Sequence, residues 1–284
     1  MGESISIGIL HPGQMGSSVA AALASNGHRV SWASEGRSEA SRKRASEHGF
    51  TDAVTLQQLG DSCDVLFSVC PPDQALALAT TVVQAGFSGT YVDCNAISPG
   101  TGQAIAGLLA DNEIEAVDGG IIGPPAWREG TTRLYLSGKQ AASVAALFES
   151  STMQAISISD DIGAASAMKM AYAGWTKGSA ALLMNMYALA EQHGLGTQLE
   201  AEWTLSQPQL HAALKNASLG NAPKAWRFSG EMKEIAETLR QADLPAGAFD
   251  AAACTYQALA GFKTVDSPQT ADVINALLNA PSTD

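Results

Sequence analysis

The 284 residues are 46% apolar, 15% charged and 6% aromatic, enough apolar material for one large core or two ordinary ones, which excludes intrinsic disorder. No apolar run reaches the roughly 18 residues that cross a bilayer, and Met1-Gly2-Glu3-Ser4 opens neither a basic n-region nor a signal-peptide core, so the expected setting is the cytoplasm and not a membrane. Sixteen Lys and Arg against 28 Asp and Glu leave a net charge of −12, the wrong sign for a nucleic-acid partner.

Two textures alternate over the first 160 residues. Residues 4–10 are a short, branched, apolar strand candidate, 17–25 an Ala-rich helix, 28–33 a strand and 38–48 a polar helix. Residues 64–69 read as a strand, 73–85 as a helix, 91–94 as a strand and 101–110 as a helix. Later strands are expected at 115–117 and 133–136, and a further helix at 140–148. Strands alternating with helices of about ten residues imply right-handed βαβ units and a mainly parallel sheet. After Asp160 the texture changes. No proline interrupts Ile162 to His193, and Gly163, Gly174 and Gly178 are tolerable in a helix that neighbours pack closely. Such a helix would be about 48 Å long. From Thr197 to Leu278, helical periods are broken only by Pro208, Pro223, Pro245 and Pro268. The expected organisation is an α/β domain over 1–160, then a long interdomain helix that opens an all-α C-terminal domain over 161–284. Cys63, Cys70, Cys94 and Cys254 form no CxxC pair. No metal site is expected, and the four read as small buried thiols.

The first strand runs into His11-Pro12-Gly13-Gln14-Met15-Gly16. The dinucleotide fingerprint G-x-G-x-x-G has its second glycine for close approach to the pyrophosphate and its third for helix–strand packing. Gly13 and Gly16 fill those two places, and His11 stands where the first glycine belongs. The following helix N-terminus offers free N–H groups to phosphate. A Rossmann-like, dinucleotide-binding N-terminal domain is therefore expected. Past the second strand the chain reads Ser34-Glu35-Gly36-Arg37-Ser38, then Arg42-Lys43-Arg44. Residues 1–160 hold eight basic and sixteen acidic side chains, and four of the eight basic ones fall between positions 37 and 44. A bound 2′-phosphate explains such an island, with a planar fork from Arg37 and hydroxyls from Ser34 and Ser38. This favours NADP. Glu35 competes as a ligand for an unphosphorylated ribose, and a solvated helix face is the alternative for Arg42, Lys43 and Arg44. Cys70-Pro71-Pro72 and Asn95 each fall just past the C-terminal end of a strand, where open α/β sheets bind ligands, and are assigned to the nicotinamide side.

With these segments in order, the chain resembles, over nearly its full length, the 6-phosphogluconate dehydrogenase and 3-hydroxyisobutyrate dehydrogenase superfamily, and within it a branch with its own C-terminal helical domain. His11 to Gly16 resembles the family's G-L-G-x-M-G, and Gly27-His28-Arg29-Val30 its G-H-x-V. Arg37-Ser38 resembles the Arg-Thr or Arg-Ser of NADP-using members, and Asp93 to Pro99 the D-x-S-T-x-x-P. Asp118 to Gly123 with Gly130-Thr131-Thr132 is similar to the segment that holds a substrate carboxylate. Gly163 to Lys169 is similar to G-x-G-x-x-x-K, with Ala165 in place of the second glycine.

The resemblance implies that Lys169 is the catalytic lysine, a general acid and base that exchanges a proton while nicotinamide exchanges hydride. Its apolar neighbours Ala167, Met168, Met170 and Ala171 suit that role; a lysine snorkelling along a helix is the alternative. Four residues on, Ala173 replaces a substrate-holding Asn, after Tyr172. The carboxylate segment reads Ile122-Gly123-Pro124, lacking a hydroxyl and one N–H, so a bulkier or less polar substrate is expected. Lys177 is a candidate for an acidic substrate group, or a solvent-facing lysine. Lys233, in Lys233-Glu234-Ile235, is similar to the family's Lys-Asp-Leu lysine that reaches the substrate; a helix ion pair with Glu231 or Glu234 competes. The expected function is an NADPH-dependent oxidoreductase acting on a small carbonyl or hydroxy-acid-type molecule, homodimeric through the helical domain. The alternatives are an imine reductase of this fold, which Lys169 argues against, and a non-catalytic NADP-binding protein.

Overall fold

A computed structural model describes residues 4–281. Met1, Gly2 and Glu3, read above for a leader, lie outside the described residues, as do 282–284. The chain divides into two compact units, Met1–Met170 and Ala171–Asp284.

The first unit alternates strand and helix. Its elements are β1 (Ser6–Ile9), α1 (Gln14–Ser25), β2 (Arg29–Trp32), α2 (Glu39–Glu47), β3 (Thr51–Asp52), α3 (Leu56–Ser62), β4 (Val65–Ser68), α4 (Ala75–Gln84), β5 (Thr90–Asp93), α5 (Pro99–Ala110), β6 (Glu115–Ile122), β7 (Thr132–Ser137), α6 (Ala141–Ala146) and β8 (Met153–Ser159). Among the described residues the strands form one eight-stranded sheet, ordered β3-β2-β1-β4-β5-β6-β7-β8. All pairs are parallel except β6–β7. The expected mainly parallel sheet is thus present. Strand β4 is buried along its whole length, and β1 and β5 are nearly so, as befits strands covered by helices on both faces. Ile7, Ile9, Phe67 and Val92 pack against Val19 and Leu23 of α1 on one side, while Leu66, Tyr91 and Leu59 join Ala79, Val82 and Ile105 on the other. The sheet reverses direction of growth between β1 and β4, and such a switch point opens a crevice at the strands' C-terminal ends.

Two sequence expectations need correction. β3 with α3, and β8, were not anticipated. β3 is two exposed residues, too short for a periodic signal, and β8 is a partly exposed edge strand. Of the four cysteines, Cys63 and Cys94 are buried, Cys70 is half-buried and Cys254 is exposed on a later helix, so the reading of four buried thiols fails at Cys254.

Helix α7 (Ala164–Ala173) runs into a five-residue π-helical segment, Gly174–Gly178, and then α8 (Ser179–Gln192). The uninterrupted helix expected over 162–193 therefore carries a π turn. A Cβ on Gly178 would sit 2.7 Å from the Phe249 ring, and one on Gly174 3.4 Å from it; the glycines admit that ring. The Tyr256 hydroxyl donates to the Lys177 carbonyl at 2.8 Å, satisfying a backbone group at the irregular turn. The second unit continues with α9 (Gly196–Ser206), α10 (Gln209–Asn221), α11 (Ala225–Gln241), α12 (Gly247–Ala258) and α13 (Thr270–Leu278). Its interior includes Met184, Trp203, Leu214, Phe228, Met232, Ile235, Tyr256 and Val273. No helix among the described residues is long and apolar enough to cross a membrane.

Candidate functional site

Strand β1 ends at Ile9 and the chain turns through His11, Pro12 and Gly13 into α1. The Gly13 N–H donates to the His11 carbonyl at 2.8 Å, closing the turn. Gly13 is the helix N-cap, and no side chain caps it, which leaves N–H donors of the first turn for a ligand. A Cβ on Gly16 would lie 2.1 Å from the His11 carbonyl oxygen, so only glycine lets the helix start this close to the turn. A Cβ on Gly13 would meet nothing within 4 Å: here the missing side chain leaves room. These are the separate duties of the fingerprint's third and second glycines. Gln14 is exposed, Met15 half-buried and Pro12 buried.

The basic island divides by role. Ser34-Glu35-Gly36-Arg37 is a tight turn closed by the Arg37 N–H on the Ser34 carbonyl at 3.1 Å, with Gly36 at φ +69, a conformation glycine adopts without strain. Arg42 donates to the Ser34 carbonyl at 2.7 Å and Arg44 to the Pro12 carbonyl at 2.9 Å. These two arginines tie the β2–α2 turn and the glycine turn in place. Lys43 is solvated, in a loose surface pair with Glu47. Ser38 caps α2, its hydroxyl accepting from the Ser41 N–H, and Ser34 is buried. Arg37 meets a side chain of the fingerprint: its Nη1 lies 2.5 Å from His11 Nε2. Arg37 Nε and His11 Nδ1 are both buried without a hydrogen-bond partner. Burial, and then the Arg37 charge, push the His11 pKa down to about 4. Orphaned donors beside an uncapped helix and an open glycine fit a phosphate-bearing dinucleotide.

Past β4 and β5 lies the second cluster. Asn95 is buried; its Oδ1 accepts from the Cys70 N–H at 2.6 Å, and its Nδ2 donates to Ser68 Oγ and to Asp93 Oδ2, each at 2.9 Å. Asn95 thereby fixes the Cys70-Pro71-Pro72 loop to the end of β5. Pro71 is exposed and Pro72 buried. Burial, with the charge of Asp93 adding, pushes the Cys70 thiol up to about 12, so it serves by shape and not as a thiolate.

Lys169 projects from α7, and its amine donates to the Ile121 carbonyl at 2.7 Å. The last β5–β6 pair is Asp93 with Asp118, so Ile121 lies three residues beyond the end of β5. The amine therefore stands at the C-terminal edge of the parallel sheet, the edge at which the glycine turn and the Cys70 and Asn95 segments leave their strands. A Cβ on Gly120 would fall 2.9 Å from the Lys169 Cβ and 2.7 Å from the Ala165 carbonyl oxygen; that glycine allows α7 to lie directly on β6. The buried Asp118 anchors the helix start. One carboxylate oxygen accepts from the Gly163 and Ser166 N–H groups and from Ser137 Oγ, and the other from Ser166 Oγ at 2.6 Å. Sequence reasoning missed this anchor, although a lone acid in the run Val117-Asp118-Gly119-Gly120 was its signal.

Of the substrate assignments, Ile122 is buried and Gly123 and Pro124 are exposed. Gly123 has φ +128, and a Cβ there would lie 2.3 Å from the Thr131 carbonyl oxygen. The Pro124 carbonyl accepts from Thr132 Oγ1 at 2.6 Å. The other four belong to the second unit: Tyr172 is exposed, Ala173 buried and Lys233 exposed on α11. Lys177 is neither solvated nor free for a substrate anion. It is buried against Glu231 in an ion pair, with its ammonium 4.2 Å from the Phe228 ring centroid.

The fold and turn together define a Rossmann-like dinucleotide-binding unit followed by a helical one. Residues 6–157, just over half the chain, match the family described as the NAD binding domain of 6-phosphogluconate dehydrogenase, and the chain belongs to that family. Residues 190–259 match a domain of unknown function, DUF1932. A curated relative, an uncharacterized 28.5 kDa protein in the 7S RNA 5′ region of Methanothermus fervidus, is 30% identical over 165 residues, 58% of this chain. The matched stretch spans 63% of that relative's length. Among solved structures, a conserved hypothetical protein from Sinorhizobium meliloti 1021 is 22% identical, with 97% of this chain and 96% of that one covered and a TM-score of 0.67. The Mycobacterium tuberculosis 3-hydroxyisobutyrate dehydrogenase with L-serine is 18% identical, with 98% and 100% covered and a TM-score of 0.71. Both share the fold.

Proposed function

We propose that this chain is an NADPH-dependent oxidoreductase acting on a small carbonyl or hydroxy-acid-type substrate, with Lys169 as its general acid and base. The observation that carries the reading is the Lys169 amine, held by the Ile121 carbonyl at the same sheet edge as the glycine turn. His11 to Gly16 would hold the pyrophosphate, with Arg37, Ser34 and Ser38 around the 2′-phosphate and Cys70, Pro71, Pro72 and Asn95 beside the nicotinamide. When bound, the nicotinamide supplies or accepts the hydride. Lys169 Nζ gives a proton to the substrate oxygen in carbonyl reduction and takes it back in alcohol oxidation, so one amine serves both directions. Its bond to Ile121 O orients the amine. The exposed Gly123 and Pro124 border the space that the substrate would enter.

The second unit bears exposed Trp175, Leu182, Met186 and Leu189 along the π turn and α8, with Trp175 77% and Leu182 60% exposed. Large apolar side chains set along one helix support assembly as a homodimer through this unit. The test is a screen of NADPH oxidation with short keto acids, aldehydes and cyclic imines, and of NADP reduction with the matching hydroxy acids. Turnover of a keto or hydroxy acid that vanishes in Lys169→Ala supports the reading. Turnover of imines alone supports an imine reductase instead, and tight NADPH binding with no turnover on any class would reject catalysis.

A further inference from the structure

We propose that His11 is a specificity-determining residue, standing where the fingerprint has its first glycine and holding the Arg37 guanidinium in position to grip the adenosine 2′-phosphate of NADP. The inference rests on the NADP reading above and goes beyond it by assigning the residue that departs from the motif.

The argument begins with donors and acceptors. A guanidinium only donates, so at the 2.5 Å contact His11 Nε2 must accept from Arg37 Nη1. The imidazole is then neutral and carries its proton on Nδ1. That state agrees with its environment: the ring is half-buried beside a fixed positive charge, both of which disfavour imidazolium. Occupying Nη1 leaves Nε and Nη2, the edge of the guanidinium that matches two oxygens of one phosphate. Nε is buried with no partner, and so is His11 Nδ1. A buried donor left unmade is costly, so this pair is poised for acceptors that a multi-oxygen anion supplies. The 2′-phosphate suits the Arg37 fork.

The supporting residues make the arrangement stiff. Arg44 ties α2 to the Pro12 carbonyl, and Arg42 holds the Ser34 carbonyl, so the loops that carry His11 and Arg37 are cross-braced. With glycine at position 11, the Arg37 guanidinium would lose its contact with His11 Nε2 and regain the rotamer entropy of a long side chain. His11 thus acts as a positioning residue whose effect falls mainly on the phosphorylated cofactor.

The experiment titrates NADPH and NADH separately into wild type, His11→Gly, His11→Gln, Arg37→Ala and the His11→Gly/Arg37→Ala double variant, following cofactor fluorescence, with a thermal midpoint for each. His11→Gly should weaken NADPH about tenfold and NADH less than about twofold. His11→Gln, whose amide oxygen still accepts, should recover much of the loss. In the double variant, the histidine change should add nothing to the arginine change. Wild type that prefers NADPH while His11→Gly keeps the full NADPH-to-NADH ratio would overturn the role of His11 and leave the NADP reading standing. Wild type with no preference between the two cofactors would reject the NADP reading itself, and this inference with it. Should His11→Gly not fold, His11→Ala takes its place: additive NADPH losses in a His11→Ala/Arg37→Ala pair would reject coupling.

Discussion

The Lys169 amine and the Ile121 carbonyl oxygen are joined at 2.7 Å across the contact between α7 and β6. This bond exists because β6 runs on past the end of β5 and because Gly120 lets the helix lie on the strand. Removing the amine removes the proton donor without touching the glycine turn. Lys169→Ala, and the shape-preserving Lys169→Met, should lower turnover by about 10²- to 10⁴-fold and leave the NADPH dissociation constant within about twofold. Steady-state rates beside a cofactor titration check this; full turnover in either variant would end the assignment.

The two fingerprint glycines should respond in opposite ways. Gly16→Ala drives a methyl to 2.1 Å from a backbone oxygen, so the turn must move, at about 1–3 kcal/mol of stability. Gly13→Ala meets no protein atom, and φ −71 suits alanine; its urea midpoint should shift by no more than about 0.5 kcal/mol. Yet Gly13→Ala should weaken NADPH at least tenfold, since the methyl occupies the space that a pyrophosphate needs. Urea titration combined with cofactor binding separates the two. Unchanged affinity in Gly13→Ala would place the phosphates elsewhere.

These contrasts show what could be read in the residues beforehand. Gly13 and Gly16 have fixed spacing next to a strand, so a local pattern announced them. The strand–helix alternation announced the sheet, because period-2 and period-3.6 textures are local properties. The Asp118 anchor, the Asn95 bridge to Cys70 and the Lys177–Glu231 pair join residues from 19 to 54 positions apart. No local signal links such partners, and tertiary packing alone decides them. Arg42 and Arg44 belong to the same class: they read as a solvated face, yet each ends on a carbonyl of a loop that the site uses.

Lys177 tests whether a charge in the helical unit is structural. Both members of its pair with Glu231 are largely buried, and burial lowers the lysine pKa while Glu231 opposes the shift. Removing one partner strands a buried charge, so Lys177→Met or Glu231→Leu alone should cost about 3–5 kcal/mol. The double Lys177→Met/Glu231→Leu variant should recover most of that loss. Urea midpoints of the four proteins form the cycle. A Lys177→Met protein of wild-type stability that only raises a substrate KM would instead make the lysine a substrate ligand.

Asp93 sets a pH dependence opposite to that of an ordinary ion-paired carboxylate. Burial raises its pKa to about 7, with the Asn95 hydrogen bonds opposing and the Asp118 charge reinforcing. In the unfolded chain the group titrates near 3.9. Between those values the folded protein keeps a proton that the unfolded chain has released, so stability falls as pH rises through this window and is flat above it. The stabilisation is fully present below about pH 4 and lost by about pH 7, a change of a few kcal/mol at most. The effect reaches the site because Asn95, whose Oδ1 accepts from the Cys70 N–H, donates its backbone N–H and Nδ2 to Asp93 and its Nδ2 also to Ser68. Urea midpoints from pH 5 to pH 8 should therefore decline in wild type and decline less in Asp93→Asn, whose amide does not ionise. Equal slopes in the two proteins would mean that Asp93 is already ionised at pH 5 and that another group governs the decline.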